Sequence, residues 1–249
     1  MKYRSIFISD VHLGLQYSRV KELIDFLKQN ECDTLYLVGD IVDGWALRRK
    51  WYWNNDYNLL IQKILRKSRK GTRIVYIPGN HDEFFREFGN AFNLGNIEMV
   101  DRVIHISPNG KKYLVVHGDI FDGILNSMSF ISKLGSFIYD IILYMNAVFN
   151  KIRRSMGMEY WSLSHYIKVN TKEAVKYCVK YEKAMVSAAI HEKVDGVICG
   201  HVHYPCQKII NGIEYHNTGC WIELATAIVE HEDGKLELID LDCYKLTSP

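Results

Sequence analysis

Short apolar runs alternate with amphipathic segments along the first half of the chain. Five runs have the pattern of buried strands, at residues 5–9, 35–38, 73–77, 113–116 and 196–199. Apolar residues at helical spacing predict helices over residues 18–30 and 56–69, and Gly71 is a typical helix stop. This alternation predicts an α/β fold with a parallel sheet and right-handed crossovers.

The last third of the chain has a different pattern. Residues 171–192 predict one helix that leads into the strand at 196–199. Asn211-Gly212 and Asp233-Gly234 are strong hairpin turns. The runs beside these turns predict an antiparallel sheet with strands at residues 207–210, 213–217, 222–230 and 236–241. We expect two sheets packed face to face, with helices outside.

A long apolar segment, residues 126–166, separates these two parts. Its apolar residues keep a helical spacing for about six turns, and the charged residues between positions 126 and 151 are Lys133 and Asp140. One interpretation is an ordinary core helix. The other is a lid helix beside an active site, whose apolar face receives a lipid tail or the membrane surface.

The composition is that of an ordinary globular protein. Apolar residues make up 48% and charged residues 24%, values that favour neither a disordered nor a fibrous chain. A net charge of +2 gives no reason to expect a nucleic acid polymer as partner. No run approaches the ~18 apolar residues of a spanning helix, no secretory segment is evident, and the scattered cysteines fit a reducing compartment. We expect a cytoplasmic protein with peripheral contact to the inner membrane at most.

Residues with metal-binding side chains follow each of the five strands. They are Asp10, His12, Asp40, Asn80, His117, His201 and His203. The carboxyl ends of parallel strands meet at one edge of a sheet, which is where open α/β folds bind ligands. An Asp-x-His pair directs a carboxylate and an imidazole to the same side, and a carboxylate can bridge two ions. One such pair is weak evidence, but the five-part series indicates a dinuclear metal site.

This series resembles the calcineurin-like metallophosphoesterase family over residues 5–241. The resemblance implies one domain, residues 1–249, folded as a four-layer α/β/β/α sandwich with a helical lid insertion at about residues 124–170. It also implies two divalent metal ions, Mn²⁺ first and Fe²⁺ or Zn²⁺ as alternatives. The first ion would be held by Asp10, His12, Asp40 and His203, and the second by Asp40, Asn80, His117 and His201.

The chemistry of such a site needs no serine or cysteine nucleophile. Two cations about 4 Å apart stabilise the entering and leaving oxygens of a displacement at phosphorus and lower the pKa of bound water. His81 can face the phosphoryl group as a donor, so His81 and Asp40 are the candidate catalytic residues. We expect Asp82 and Asp119 to orient ligand histidines. For Asp43, that role and a solvated loop carboxylate are both open.

Within the family, the motifs most closely resemble those of bacterial UDP-2,3-diacylglucosamine diphosphatases. That resemblance implies cleavage of the substrate pyrophosphate to UMP and 2,3-diacylglucosamine 1-phosphate, in lipid A biosynthesis at a membrane surface. His81 stands where the best-known diphosphatases carry arginine, and it matches the wider family instead. The candidate residues for substrate contact are Asn80, His81, Asp122, Ser164, Lys168 and His201.

Two other functions stay open. One is a phosphodiesterase or phosphatase that acts on a soluble nucleotide or another phosphoester. The other is a non-catalytic metal-binding module, which is disfavoured because no expected ligand is missing. Outside the motifs, His216 is a candidate to approach the site, whereas His105 and other histidines are expected to be structural or solvated. The cluster of tryptophans and basic residues at positions 45–53 could stack a base or simply pack at the surface.

Overall fold

The computed structural model of the chain describes residues 1–88, 97–122, 145–146, 148–150, 152–153, 155–158, 160–162, 166 and 170–244. The strands are β1 (Lys2–Ile8), β2 (Glu31–Val38), β3 (Arg73–Ile77), β4 (Ile97–Met99), β5 (Val103–Ile106), β6 (Lys112–Val115), β7 (Gly196–Cys199), β8 (Cys206–Ile210), β9 (Ile213–Asn217), β10 (Thr226–Glu230) and β11 (Leu236–Asp240). The α-helices are α1 (Val20–Gln29), α2 (Gly44–Arg49), α3 (Asn55–Arg69), α4 (Lys172–His191) and α5 (Leu241–Tyr244). Two 3₁₀ segments cover Glu83–Phe88 and Asp119–Phe121.

The long helices lie close to where the sequence places them, and local hydrogen bonds set their first residues. The hydroxyl of Ser18 donates to the carbonyl of Val11 at 2.6 Å instead of capping a helix, and α1 begins two residues later. The side chain of Asn54 accepts a hydrogen bond from the N–H of Tyr57 at 3.0 Å. Asn54 is therefore the N-cap that starts α3.

The strands form two sheets, with the orders β11-β10-β1-β2-β3-β4 and β5-β6-β7-β9-β8. Strands β1 to β4 are parallel to one another, as predicted for the first part of the chain. The prediction of one C-terminal antiparallel sheet is wrong. The β8–β9 hairpin pairs in parallel with β7 in the second sheet, whereas the β10–β11 hairpin joins β1 in the first. A tight turn fixes the pairing within a hairpin, but it does not specify the sheet that the hairpin extends.

The two sheets pack face to face with helices on both outer faces, as expected. Phe7, Tyr36 and Val75 of the first sheet meet Tyr113 and Ile198 of the second in a buried layer. Helices α1 and α3 cover the outer face of the first sheet, and α4 covers the outer face of the second. The fold is therefore a four-layer α/β/β/α sandwich. The five motif strands are divided between its two sheets, three in the first and two in the second.

The strand predicted over residues 222–230 begins only at Thr226. The residues before it pass beneath the motif loops instead. The N–H of Trp221 donates to the carbonyl of Asp10 at 2.9 Å, and its carbonyl accepts from the N–H of Arg19 at 2.7 Å. Trp221 and Ile222 are buried. The apolar residues at the start of this predicted strand are buried, but they pair with no neighbouring strand in the described part of the chain.

Most of the long apolar segment, residues 126–166, lies outside the described residues. The described residues 145–146, 148–150 and 152–153 of the helix predicted there are helical. Among its described residues, Asn150 is buried and exchanges two hydrogen bonds with the backbone of Trp161, at 2.8 and 2.9 Å. None of the helices in the described part of the chain is long and apolar enough to cross a bilayer.

Candidate metal centre

The backbone adopts an uncommon conformation where the motif loops leave the strands. Five predicted ligands have a positive φ, namely Asp10 (53°), His12 (50°), Asp40 (54°), His201 (71°) and His203 (51°). Asp and His tolerate the left-handed region better than most residues, but each such residue still costs on the order of 1–3 kcal/mol. Strain at five predicted ligands indicates that the surrounding structure holds these loops for a function.

Hydrogen bonds join the loops of the two sheets. The N–H of Asp10 donates to the carbonyl of Gly39 at 3.0 Å, and the N–H of Gly200 donates to the carbonyl of His117 at 3.2 Å. The N–H of His201, in the second sheet, donates to the carboxylate of Asp10, in the first, at 3.0 Å. The motif loops therefore meet at one end of the sandwich.

One cluster of donors there consists of Asp10, His12 and His203, whose ligand atoms lie within 4.8 Å of one another. His203 Nε2 is 3.0 Å from Asp10 Oδ1, and His12 Nε2 is 3.9 Å from the same oxygen. Burial alone would raise the pKa of Asp10, but the neighbouring His203 lowers that pKa to about 2. The carboxylate is therefore ionised, as a cation ligand must be.

A second cluster consists of Asp40, His117 and His201, again within 4.8 Å of one another. Asp40 Oδ2 is 3.3 Å from His117 Nε2 and 3.7 Å from His12 Nε2, so one carboxylate faces both clusters. Burial opposes ionisation, yet the surrounding histidines hold the pKa of Asp40 well below its usual range. Asp40 lies where a ligand shared by two ions would have to lie.

In two of these histidines, the ring nitrogen that points away from the clusters contacts an oxygen atom of another residue. His117 Nδ1 lies 2.9 Å from the carbonyl oxygen of Val38, which makes Nδ1 the protonated nitrogen and directs the Nε2 lone pair inward. His12 Nδ1 lies 2.9 Å from Asp43 Oδ2, which leaves His12 Nε2 for the cluster. Metal-binding histidines are held in the same way, by a carbonyl or carboxylate on the other nitrogen.

Among the described residues, eight buried side-chain nitrogen and oxygen atoms make no hydrogen bond, and four of these eight belong to predicted metal ligands. The four are Asp10 Oδ1, His12 Nε2, Asn80 Oδ1 and His117 Nε2. Buried polar atoms are nearly always hydrogen-bonded, so a group of four needs an explanation. Mixed oxygen and imidazole donors suit Mn²⁺, Fe²⁺ or Zn²⁺. The residues therefore fit a pair of divalent metal ions.

The sequence left two roles open for Asp43. In the structure it is a buried partner of histidines and not a solvated loop carboxylate. Its Oδ2 atom is 2.9 Å from His12 Nδ1 and 3.0 Å from His81 Nδ1. Its Oδ1 atom accepts the N–H of Ala46 at 2.6 Å and caps α2. Burial would raise the pKa of Asp43, but the contacts with both histidines lower it.

His81 lies beside the clusters with a quarter of its side chain exposed. Its ring centroid is 4.2 Å from that of Trp45 and 4.5 Å from that of His12. Burial opposes protonation, but the carboxylates of Asp43 and Asp40 raise the pKa of His81. The imidazole is therefore more readily protonated than usual and can act as a donor.

The prediction that Asp82 orients a ligand histidine is wrong. Asp82 accepts hydrogen bonds from the N–H groups of Gly79 at 2.6 Å and Ile41 at 2.8 Å, and from the hydroxyl of Tyr76 at 2.5 Å. Its carboxylate therefore ties the loop after β2 to the loop after β3. Backbone amides lie closer to this short side chain than any imidazole does.

The same prediction is wrong for Asp119. Arg86 donates to both of its carboxylate oxygens, at 2.8 and 3.0 Å, and to the carbonyl of Pro78 at 2.9 Å. The carboxylate that does contact a ligand histidine in this region is Asp122. Both of its oxygens are 3.0 Å from His201 Nε2.

Two glycines are required by the close packing of the ligands. A Cβ atom on Gly39 or on Gly79 would overlap the ring of His117, and on Gly79 it would also overlap the carboxylate of Asp40. Gly39 has in addition a φ of 81°. The Gly-Asp and Gly-Asn pairs of the sequence therefore have a steric origin.

Of the other candidates, Ser164 and Lys168 lie outside the described residues. His216 does not approach the site, since its ring nitrogens contact Gln207 at 3.0 Å and Glu214 at 3.4 Å. Successive residues of a strand point to opposite faces, and the next residue, Asn217, is the one that donates to the Gly200 carbonyl at 2.8 Å. The expectation that His216 joins the site is wrong.

Tyr181 is a residue of the site that the sequence did not reveal. It is fully buried in α4, and its hydroxyl donates to the carbonyls of His117 at 3.0 Å and Gly200 at 3.2 Å. It therefore supports the two motif loops of the second sheet from below. In the sequence, Tyr181 stands out only as a residue with a hydroxyl group on the otherwise apolar face of an amphipathic helix.

Comparison with known proteins identifies the family. The calcineurin-like phosphoesterase model matches residues 3–205. A UDP-2,3-diacylglucosamine hydrolase from Blochmanniella pennsylvanica (strain BPEN) is 25% identical over 256 residues, covering 97% of this chain and 98% of that protein. A DNA polymerase II small subunit from Methanothermobacter thermautotrophicus (strain ATCC 29096 / DSM 1053 / JCM 10044 / NBRC 100330 / Delta H) is 29% identical over 253 residues, with coverage of 88% and 47%. A solved archaeal phosphodiesterase is 13% identical, covers 95% of this chain and 99% of its own, and gives a TM-score of 0.43.

The region matched by the family model includes every motif loop, from Asp10 to His203. It also includes both clusters of candidate ligands and the buried donor atoms between them. The chain belongs to the calcineurin-like phosphoesterase family and is a metal-dependent phosphoester hydrolase.

Proposed function

We propose that the chain cleaves the pyrophosphate of UDP-2,3-diacylglucosamine to UMP and 2,3-diacylglucosamine 1-phosphate, a step of lipid A biosynthesis. The observation that carries the proposal is how much of the chain aligns with one relative. The relative named UDP-2,3-diacylglucosamine hydrolase aligns with 97% of this chain, so the similarity includes the insertion as well as the metal centre.

The metal centre would bind the pyrophosphate through two divalent ions, with Mn²⁺ as the first candidate and Fe²⁺ or Zn²⁺ as alternatives. Such ions lower the pKa of bound water and neutralise charge on phosphoryl oxygens. Asp40, which faces both clusters, would hold the two sites in register. The other ligands would be Asp10, His12 and His203 for one ion, and Asn80, His117 and His201 for the other.

His81 would donate a proton or a hydrogen bond to the phosphoryl group. Its Nδ1 atom is 3.0 Å from Asp43 Oδ2, which leaves Nε2 as the nitrogen able to face a substrate. The contact with Trp45 restricts the ring from the other side. A positioned donor of this kind typically contributes about 10²–10⁴-fold to the rate. His81 and Asp40 therefore remain the candidate catalytic residues.

Four further residues are proposed to contact the substrate, beside the two ligands Asn80 and His201. They are His81, Asp122, Ser164 and Lys168. Of these, Asp122 is bound to His201 and to the hydroxyl of Tyr177, so it can also position that histidine.

The described residues of the insertion support a lipid substrate. Several of their large apolar side chains are exposed: Met145 (53%), Val148 (42%), Phe149 (38%), Ile152 (54%) and Met156 (62%). A small soluble phosphoester gives no reason for such exposure. Acyl chains do, since burying each CH₂ contributes about 0.8 kcal/mol. The protein would then work on the cytoplasmic side, in peripheral contact with the membrane.

The test is hydrolysis of UDP-2,3-diacylglucosamine in detergent with Mn²⁺, followed by release of UMP. Bis-p-nitrophenyl phosphate serves as the small-ester comparison, and the Asp40→Ala variant controls for contaminating activity. We expect both substrates to be cleaved and the variant to cleave neither. Cleavage of the small ester alone would remove the lipid assignment and leave the family activity intact.

The alternative function is a phosphodiesterase or phosphatase for a soluble nucleotide or another phosphoester. His81 favours it, because the wider family has histidine where the best-known diphosphatases have arginine. A preference for soluble nucleotides over the UDP-lipid in the same assay would support it.

A further inference from the structure

Positive charge is concentrated in one stretch of the chain. Residues 44–73 contain nine Lys and Arg and one acidic residue, although the whole chain has a net charge of only +2. Lys67 is buried against Glu31 at 2.8 Å, and Arg73 pairs with Glu98. Most of the other basic residues are exposed. They lie on α2, on α3 and in the loop between these helices, on the outer side of the first sheet.

That loop presents an exposed aromatic ring on a firm support. Trp51 is 73% exposed, and its ring stacks on that of Trp53 with a centroid distance of 6.2 Å. Trp53 donates from Nε1 to the side chain of Asn58 at 2.9 Å and packs edge-on against the buried Tyr57 at 5.4 Å. The Trp51 indole is therefore held at the surface by residues that belong to the core.

Three exposed cations, Arg48, Arg49 and Lys50, directly precede Trp51, and we name these four residues the Arg-Trp loop. An indole inserts at the level of the headgroups of a bilayer, and Lys or Arg beside it are attracted to anionic lipids. Nucleic acid would also attract the cations. It would offer no partner, however, to the exposed apolar side chains of the insertion.

The insertion and the Arg-Trp loop are neighbours in space. A cavity of about 540 Å³ is lined on one side by Tyr52 and Asn54, which follow the loop, and on the other by Asn146, Asn150 and Tyr160 of the insertion. The segment that carries the cations and the segment that carries the exposed apolar side chains thus adjoin at this cavity. Cationic and apolar side chains together are the combination that a lipid surface requires.

We infer that the Arg-Trp loop docks the protein on an anionic lipid surface. The inference deepens the proposed function, because it names the surface that brings the metal centre to a membrane-bound substrate. Helix α2 provides the connection: it carries Arg48 and Arg49, and its Trp45 contacts His81 at 4.2 Å. Docking through this helix places the mouth of the site beside the lipid headgroups.

The experiment is co-sedimentation of the full chain with vesicles of equal parts phosphatidylglycerol and phosphatidylcholine. One variant carries Arg48→Glu, Arg49→Glu and Lys50→Glu, and a second carries Trp51→Ala. The matched control carries Lys172→Glu, Lys176→Glu and Lys180→Glu, three exposed residues of α4 on the opposite outer layer. At about 1 kcal/mol for each cation near an anionic surface, partitioning of the first variant should fall about a hundredfold or more. The control should fall far less.

Hydrolysis of bis-p-nitrophenyl phosphate by each variant shows whether the fold and the metal centre are preserved. Equal partitioning of the wild type onto vesicles of phosphatidylcholine alone would overturn the inference. So would vesicle binding by the Arg-Trp loop variants equal to that of the control, or tighter binding to a short DNA duplex than to the vesicles. If the Arg-Trp loop variants lose vesicle binding but the wild type does not cleave the UDP-lipid, the proposed substrate is refuted and the docking surface stands. If the wild type cleaves the UDP-lipid in detergent but does not bind vesicles, the docking surface is refuted and the proposed substrate stands.

Discussion

Replacing Tyr181 by phenylalanine removes one hydroxyl and tests whether support beneath the motif loops controls metal binding. The hydroxyl is fully buried and donates to the carbonyls of His117 and Gly200. Phenylalanine keeps the ring and its packing between α4 and the second sheet. The perturbation is therefore confined to the hydrogen bonds of two carbonyl groups and to the contact with the Cys199 thiol.

The structure sets the size of the effect on stability. The carbonyl of His117 still accepts a hydrogen bond from the N–H of Gly200 at 3.2 Å. The carbonyl of Gly200 still accepts from the N–H of Val202 at 2.9 Å and from the side-chain amide of Asn217 at 2.8 Å. A buried group left without a partner costs about 1–3 kcal/mol, and these groups retain partners, so we expect about 1 kcal/mol. For a chain of this length the melting temperature should fall by about 2–4 °C.

The effect on metal binding should be larger than the effect on stability suggests. The two loops carry His117 and His201, so the Mn²⁺ affinity of the second cluster should fall about tenfold, the lower end of what outer supports contribute. Isothermal titration with Mn²⁺ measures the affinity, and thermal unfolding measures stability. Tyr113→Phe is the control, because Tyr113 is equally buried and its hydroxyl donates to Glu214 at 2.8 Å. Unchanged affinity in Tyr181→Phe, or an equal loss in Tyr113→Phe, would refute the reasoning.

Three further predictions follow from other contacts. Asp43→Asn should keep the cap of α2 but present an N–H where His12 Nδ1 needs an acceptor. The value of kcat/KM for the small ester should therefore fall about 10–100-fold. Unchanged kinetics would contradict this prediction. Glu230 lies 2.8 Å from His105 Nε2, and although burial opposes it, that contact lowers the pKa of Glu230. Its contribution to stability is therefore present above the unfolded pKa of about 4.3 and lost as the pH falls through the folded value. Urea unfolding of Glu230→Gln should show a deficit of about 2 kcal/mol at pH 7 that shrinks in acid, and a deficit independent of pH would oppose this account. Chelation should lower the melting temperature by about 5–10 °C relative to protein saturated with Mn²⁺ at roughly 100 times its Kd, and added Mn²⁺ should restore it; no shift would indicate that the site holds no ion.

The ligand set could be predicted from the sequence because each ligand follows a strand and lies either next to a glycine or two positions from another ligand. Gly39 and Gly79 precede Asp40 and Asn80 because a Cβ atom at either position would overlap the ring of His117. Sterics of this kind leave a local trace in the sequence. The family and its four-layer fold were accessible for the same reason.

Contacts between distant elements left no such trace. Asp82 and Asp119 have the right residue type and position to orient histidines, yet one binds backbone amides and the other binds Arg86. Tyr181 reaches the site from a helix about sixty residues further along the chain than His117. The order of the two sheets was likewise undetermined, because a hairpin turn specifies its own two strands and not their neighbours.

The most direct measurement is anomalous scattering from crystals of the protein grown with Mn²⁺. Two peaks about 4 Å apart should appear, one beside Asp10 and His203 and the other beside His117 and His201, with Asp40 between them. A single peak, or two peaks that Asp40 does not separate, would contradict the dinuclear centre on which the proposed hydrolysis depends.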